Sequence, residues 1–164
     1  LFRSNSALEW KAPFAKWFVG GKINASYNAL DVQNPDKIAI LWEGENEDRK
    51  SVTYGELLDS VQRLANGLKS LGVEKGDRIT IYLPMVPELI VSILACARIG
   101  AIHTVIFSGF SSQSIRDRLV DSQSKIIITA DGGFRRGNVV KLKEVVDLAI
   151  QDLDFIQKIG RAHV

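Results

Sequence analysis

The sequence predicts an α/β domain, a largely parallel sheet with helices on both faces. Three observations carry this. Residues 78–83, 101–107 and 125–129 are short β-branched and apolar runs of strand length. The second of them shows little polar alternation, as expected for a parallel strand covered on both faces. Segments of helical period lie between the runs, and a helix that joins parallel neighbours makes a right-handed crossover.

Taken in order, residues 8–21, LEWKAPFAKWFVGG, place Trp10, Phe14, Trp17 and Phe18 at helical spacing. Pro13 argues against one continuous helix there. The stripe reads as packing, an arm that docks on a surface. Residues 37–43 and 51–54 read as two strands joined by the acidic turn GENEDRK, a solvated hairpin tip. Thr53 and Glu56 fit a capping box. Leu57, Leu58, Val61, Leu64, Ala65, Leu68 and Leu71 then form one face of an amphipathic helix, which Gly72 closes.

The strand over 78–83 stops at Pro84, which cannot donate to a sheet. Pro87 and Glu88 suit the first turn of a helix, since Pro lacks an N–H that would be unpaired anyway and Glu complements the dipole. That helix is apolar nearly all round, so it is expected to be buried on more than one side, and Gly100 ends it. Ser111 and Ser112 can cap a helix that carries Ile115, Leu119 and Val120 inward. Leu142, Val145, Val146, Ala149, Ile150 and Leu153 mark a last amphipathic helix, with a further strand begun at Asp154, Phe155 and Ile156.

The composition bounds the function. The chain has 164 residues, 46% hydrophobic and 24% charged, enough for one core. A formal net charge of +2 gives no reason to expect nucleic acid or an anionic membrane as partner. The single cysteine, Cys96, lies in the apolar helix and reads as a small buried side chain. No apolar run reaches the roughly 20 residues needed to span a bilayer, and no signal peptide is visible at the start. A cytoplasmic setting fits.

The blocks YLPMVPE, ACARIGA, a following His, VIF, SGFS and ITADGG resemble the N-terminal domain of the AMP-forming acetyl-CoA synthetases. These are acyl-activating enzymes of the adenylate-forming superfamily. The likeness runs from about Trp10 to about Leu153, and residues 17–28 resemble the family's lead-in. It implies the N-terminal part of the large domain of an adenylate-forming enzyme. The expected division is an arm over residues 1–35, a partial α/β domain over 36–158 and a tail over 159–164. That tail, IGRAHV, resembles the translation of a common sequencing adapter; a coincidental genuine sequence is the alternative. Residue 1 is not an initiator methionine, and the chain is expected to be a segment of a longer protein.

Chemistry is expected at strand C-termini, where open α/β sheets bind ligands. One such loop is Phe107, Ser108, Gly109 and Phe110. The other covers residues 130–138 and carries Arg135, Arg136, Gly137 and Asn138. Glycines let a ligand approach the backbone, arginines offer planar bidentate donors to phosphate, and an aromatic ring can stack on adenine. On spacing alone, adjacent arginines are more often solvated surface. The resemblance implies that these seven residues contact the adenine and phosphates of CoA, with Asn138 standing where the family carries a cation. His103 reads as a core histidine. No carboxylate pair, metal-ligand cluster, nucleophile set, GxGxxG or Walker A loop appears.

The resemblance further implies an acetate–CoA ligase using ATP and CoA, with Mg2+ in the complete enzyme. No catalytic residue and no metal ligand is expected within these residues. Its partners are small-molecule substrates. A propionate or hydroxyacid ligase, and a non-catalytic CoA- or nucleotide-binding module, are the alternatives.

Overall fold

In the computed structural model, which describes residues 4–162, the chain opens on a β-hairpin over residues 6–19. β1 (Ser6–Lys11) pairs antiparallel with β2 (Phe14–Val19), and Ala12 and Pro13 form the turn. Leu8 stands opposite Trp17 and Trp10 opposite Ala15, which puts both tryptophans on one face. Phe14, opposite Lys11, lies on the other face, so the aromatics are divided between the two faces of a hairpin and do not form the helical stripe expected from the sequence. Trp10, Phe14 and Trp17 are 68%, 74% and 65% exposed. The first three residues of the expected arm, and His163 and Val164 of the expected tail, lie outside the described residues.

A single π-helical turn, Tyr27–Asp31, leads to a second antiparallel hairpin of β3 (Ile38–Glu43) and β4 (Arg49–Thr53). α1 (Tyr54–Ser70) starts in the capping box that the sequence announces. The Glu56 N–H donates to Thr53 Oγ1 at 3.2 Å, and the Thr53 N–H donates to the Glu56 carboxylate at 2.8 Å.

The chain then winds the central sheet from β5 (Arg78–Tyr82), α2 (Pro87–Ile99), β6 (Ile102–Val105), α3 (Ser112–Ser122) and β7 (Ile126–Ala130). A third hairpin, β8 (Gly133–Arg135) and β9 (Asn138–Val140), precedes α4 (Leu142–Ala149) and β10 (Lys158–Ala162). The sheet order is β10-β7-β5-β6, all parallel. β6 lies to one side of β5 and β7 to the other, so right-handed crossovers put α2 and α3 on opposite faces. The core runs through Ile79, Ile81 and Ile127 in the strands, Val61, Ala95 and Cys96 on one side, and Ile115, Leu119 and Val146 on the other.

Four expectations are corrected. β6 is an edge strand among the described residues, with Ile102 and Val105 exposed, so it is not covered on both faces. His103 sits partly exposed on that edge and is not a core residue. Val120 points outward because α3 buries the stripe of Ile115 and Leu119. The last strand starts at Lys158 rather than Asp154, because the intervening residues are used in turns. The Leu153 N–H bonds the Ile150 carbonyl at 3.0 Å, and Asp152 has a φ of +61°. Among the described residues no helix is long and apolar enough to cross a membrane.

One ion pair ties the segment before β3 to the main body. Arg98, in the last turn of α2, holds both oxygens of Asp31 at 2.8 Å, with both side chains less than a quarter exposed. Asn24 Nδ2 donates to the carbonyls of Ala97 and Arg98 on the same helix end. The Arg98 guanidinium keeps the Asp31 carboxyl below the usual carboxylate range. A carboxyl lowered in the fold stabilises it above its unfolded pKa, and that contribution disappears as pH falls through the folded value. Thermal unfolding followed against pH should therefore show an acid loss that Asp31→Asn reduces. At neutral pH the same substitution should cost about 1–2 kcal/mol.

Candidate nucleotide site

The carboxyl ends of β5, β6 and β7 bring three loops together. β5 runs into Pro84, Met85 and Val86, β6 into the 107–110 loop, and β7 into the β8–β9 hairpin. The winding reverses between β5 and β7, the place where open α/β sheets leave a crevice. Gly133 is buried against the first of these loops, and a Cβ on it would meet Pro84 at 3.0 Å. The Tyr82 side chain is fully buried, and its hydroxyl donates to the Ser108 carbonyl at 3.1 Å and lies 3.3 Å from that of Phe110. Burial pushes the Tyr82 phenol above its ordinary pKa, so it stays protonated and remains a donor.

Arg135 reaches across to the 107–110 loop. Its guanidinium carbon lies 5.2 Å from the centre of the Phe107 ring, close enough for a cation–π contact. Phe107 meets Phe110 edge-on at 6.0 Å, and Arg118 covers Phe110 at 4.6 Å. Gly109 lets both side chains close over the backbone, since a Cβ there would overlap Arg135 Nη1 and come within 2.7 Å of Phe107 Cε1, so a larger residue would push the guanidinium and the ring aside. The structure thus joins Phe107, Ser108, Gly109 and Arg135 in one place.

The other three expected residues sit at the end of a hairpin and not in an open loop over residues 130–138. Arg136 and Gly137 form a two-residue turn with φ of +52° and +74°. Positive φ at both central positions is what a type I′ hairpin turn needs. Asn138 turns its amide back onto the Arg136 carbonyl at 3.2 Å and so stiffens the turn.

Two side chains of the β3–β4 hairpin reach the site, Trp42 from β3 and Glu45 from the acidic turn, which is more than the solvated tip expected there. Trp42 Nε1–H donates to the Met85 carbonyl at 2.6 Å. Glu45 accepts the Arg136 N–H at 2.9 Å and the Gly137 N–H at 3.1 Å. Those two backbone donors, Arg136 first, hold the Glu45 carboxyl below its ordinary pKa. The only signal was that Glu45 begins the charge run after Gly44, and nothing in a linear reading joins it to a turn 91 residues away.

A cavity of about 390 Å³ opens between these elements, walled by Trp42, Met85, Phe107, Phe134 and Arg135. A larger groove of about 610 Å³ between α1 and α2, lined by Gln62, Asn66, Lys69 and Lys75, is more open and lies away from the strand ends. Cys96 offers no nucleophile, since burial pushes its thiol up to about 12. Among the described residues no three His, Cys, Asp or Glu side chains are grouped to hold a metal ion.

Comparison with known proteins agrees with this architecture. Residues 29–161 match the model of the AMP-binding enzymes, and residues 3–29 match that of the acetyl-coenzyme A synthetase N-terminus. The chain is 52% identical over 159 residues to acetyl-coenzyme A synthetase of Gemmatimonas aurantiaca, covering 94% of this chain and 24% of that protein. It is 56% identical over 145 residues to 3-hydroxypropionyl-coenzyme A synthetase of Metallosphaera sedula, covering 86% of this chain and 22% of that one. The acetoacetyl-CoA synthetase of Streptomyces lividans superposes with a TM-score of 0.89 at 29% identity, covering 98% of this chain and 25% of that one. The chain spans about a quarter of the length of the relatives it matches. With that model covering most of its length, the chain belongs to the family of AMP-binding enzymes.

Proposed function

We propose that this chain is part of an AMP-forming acetate–CoA ligase and supplies one wall of its CoA site. The carrying observation is the Arg135 guanidinium beside Phe107 and Gly109 at the carboxyl ends of the strands. In the reaction, a carboxylate oxygen of acetate attacks the α-phosphorus of ATP and pyrophosphate leaves. The CoA thiol then attacks the acyl carbon of the adenylate and AMP leaves. These residues take part in neither attack. Phe107, Ser108 and Gly109 offer a flat, open face for adenine, and Arg135 offers planar charged donors to the CoA phosphates. Arg136 and Gly137 form the turn that carries this arginine, and Asn138, paired with Arg135, begins the return strand. Mg2+ would act with ATP elsewhere in the complete enzyme, and the reaction would run in the cytoplasm on small-molecule substrates.

The test uses the complete protein that carries this segment. Carboxylate-dependent ATP–pyrophosphate exchange and CoA-dependent thioester formation are measured with acetate, propionate and 3-hydroxypropionate. Acetate should give the highest kcat/KM in both assays. A preference for either longer acid would change the substrate assignment. Absence of exchange with all three would sink the ligase reading and favour a binding module.

A further inference from the structure

The β8–β9 hairpin carries Arg135, yet it is poorly equipped to hold itself in place. Each strand has only three residues, and isolated two-stranded hairpins of such length are marginal. Its turn puts Arg136, a residue with a Cβ, at a φ of +52°, where glycine is the residue without penalty. One end of the hairpin is fixed by Gly133 packed on Pro84. The other end is fixed from outside the sheet. Both turn N–H groups, those of Arg136 and Gly137, donate to the two oxygens of the Glu45 carboxylate. The hairpin bearing Glu45 is itself attached to the loop after β5, through Trp42 Nε1–H and the Met85 carbonyl.

We propose that Glu45 is a positioning residue for CoA: its carboxylate clamps the Arg136–Gly137 turn and thereby holds Arg135 across Phe107. This rests on the reading of Arg135 as a CoA phosphate contact. Glu45 touches no substrate. Its charge would by itself oppose a phosphate, but both of its oxygens are committed to backbone donors, and the order it imposes lies next to the guanidinium. A carboxylate suits this task because it accepts two adjacent N–H groups at once, whereas a carboxamide presents one acceptor and turns an NH2 toward the other donor.

In the complete ligase, Glu45→Ala should raise the KM for CoA about three- to tenfold with little change in kcat at saturating CoA. Glu45→Gln should fall between the wild type and Glu45→Ala. Adding Glu45→Ala to an Arg135→Ala enzyme should raise the KM no further, because the arginine it positions is gone. A lowered KM would make the carboxylate a repulsive charge and overturn the proposal. So would an equal multiplicative rise in the Arg135→Ala background, or a loss of pyrophosphate exchange as large as the loss of thioester formation. If Arg135→Ala raises the KM and Glu45→Ala does not, the clamp fails while the CoA reading survives. If Arg135→Ala itself leaves the KM unchanged, both fail.

Discussion

Arg135→Ala is expected to raise the KM for CoA of the complete enzyme by roughly ten- to a hundredfold, the effect of losing one charge-assisted contact of about 1.5–3 kcal/mol. The proposed adenylation half-reaction uses no CoA, so acetate-dependent pyrophosphate exchange should keep nearly its full rate. The geometry explains why the loss should be confined in this way. Arg135 lies on a hairpin outside the parallel sheet, and its guanidinium reaches back over Phe107. Removing the side chain leaves the strand ladder, the Gly133 contact and the turn intact. Lysine should restore only part of the affinity, since its ammonium cannot present two parallel donors or lie flat on the ring. Both activities should be measured on the same preparations. Equal loss of exchange and thioester formation would make Arg135 a structural residue and remove the CoA assignment.

The sheet was legible because its signals are local. Pro84 and Pro87 bracket the end of β5 and the start of α2, and Gly100 takes the left-handed position that ends α2, with a φ of +77°. The Thr53–Glu56 capping box is likewise written within four residues. The arm differs from its expectation because Trp10, Phe14 and Trp17 satisfy a helical spacing, while the hairpin puts Trp10 and Trp17 on one face and Phe14 on the other. Pro13 decides between helix and hairpin by making a turn, and the exposed faces give no core to arbitrate. β6 was misread for a related reason. Apolarity says that a strand can be covered on both faces but not that it lies inside the sheet, and the order of strands is set by crossovers between distant segments.

The site divides the same way. Phe107, Gly109 and Arg135 stand out as residue types suited to a nucleotide, and the fold does bring them together. Glu45 and Tyr82 were not singled out, because their roles consist of partners that are remote in sequence. Glu45 looks like one acid in a charge run, and Tyr82 looks like the aromatic end of a strand. Only the fold gives the first a turn to hold and the second a loop to anchor.

Tyr82 is where the core and the site meet, and its replacement should have the largest effect on stability. The residue is fully buried at the carboxyl end of β5, between β6 and β7. Tyr82→Ala removes the ring from a packed interior and should cost about 3–5 kcal/mol, the range for large aromatic truncations. Tyr82→Phe keeps the ring and deletes only the hydroxyl, so its cost should be about 1 kcal/mol. That hydroxyl, however, bonds the Ser108 carbonyl and lies against that of Phe110, so the 107–110 loop loses its tie to the sheet. Amide hydrogen exchange should separate the two effects. Tyr82→Phe should speed exchange in the 107–110 loop while leaving β5 and β7 protected, whereas Tyr82→Ala should speed exchange throughout the sheet. If Tyr82→Phe leaves the loop as protected as the wild type, the phenol is a packing group only, and the loop is held by its own contacts among Phe107, Phe110 and Arg118.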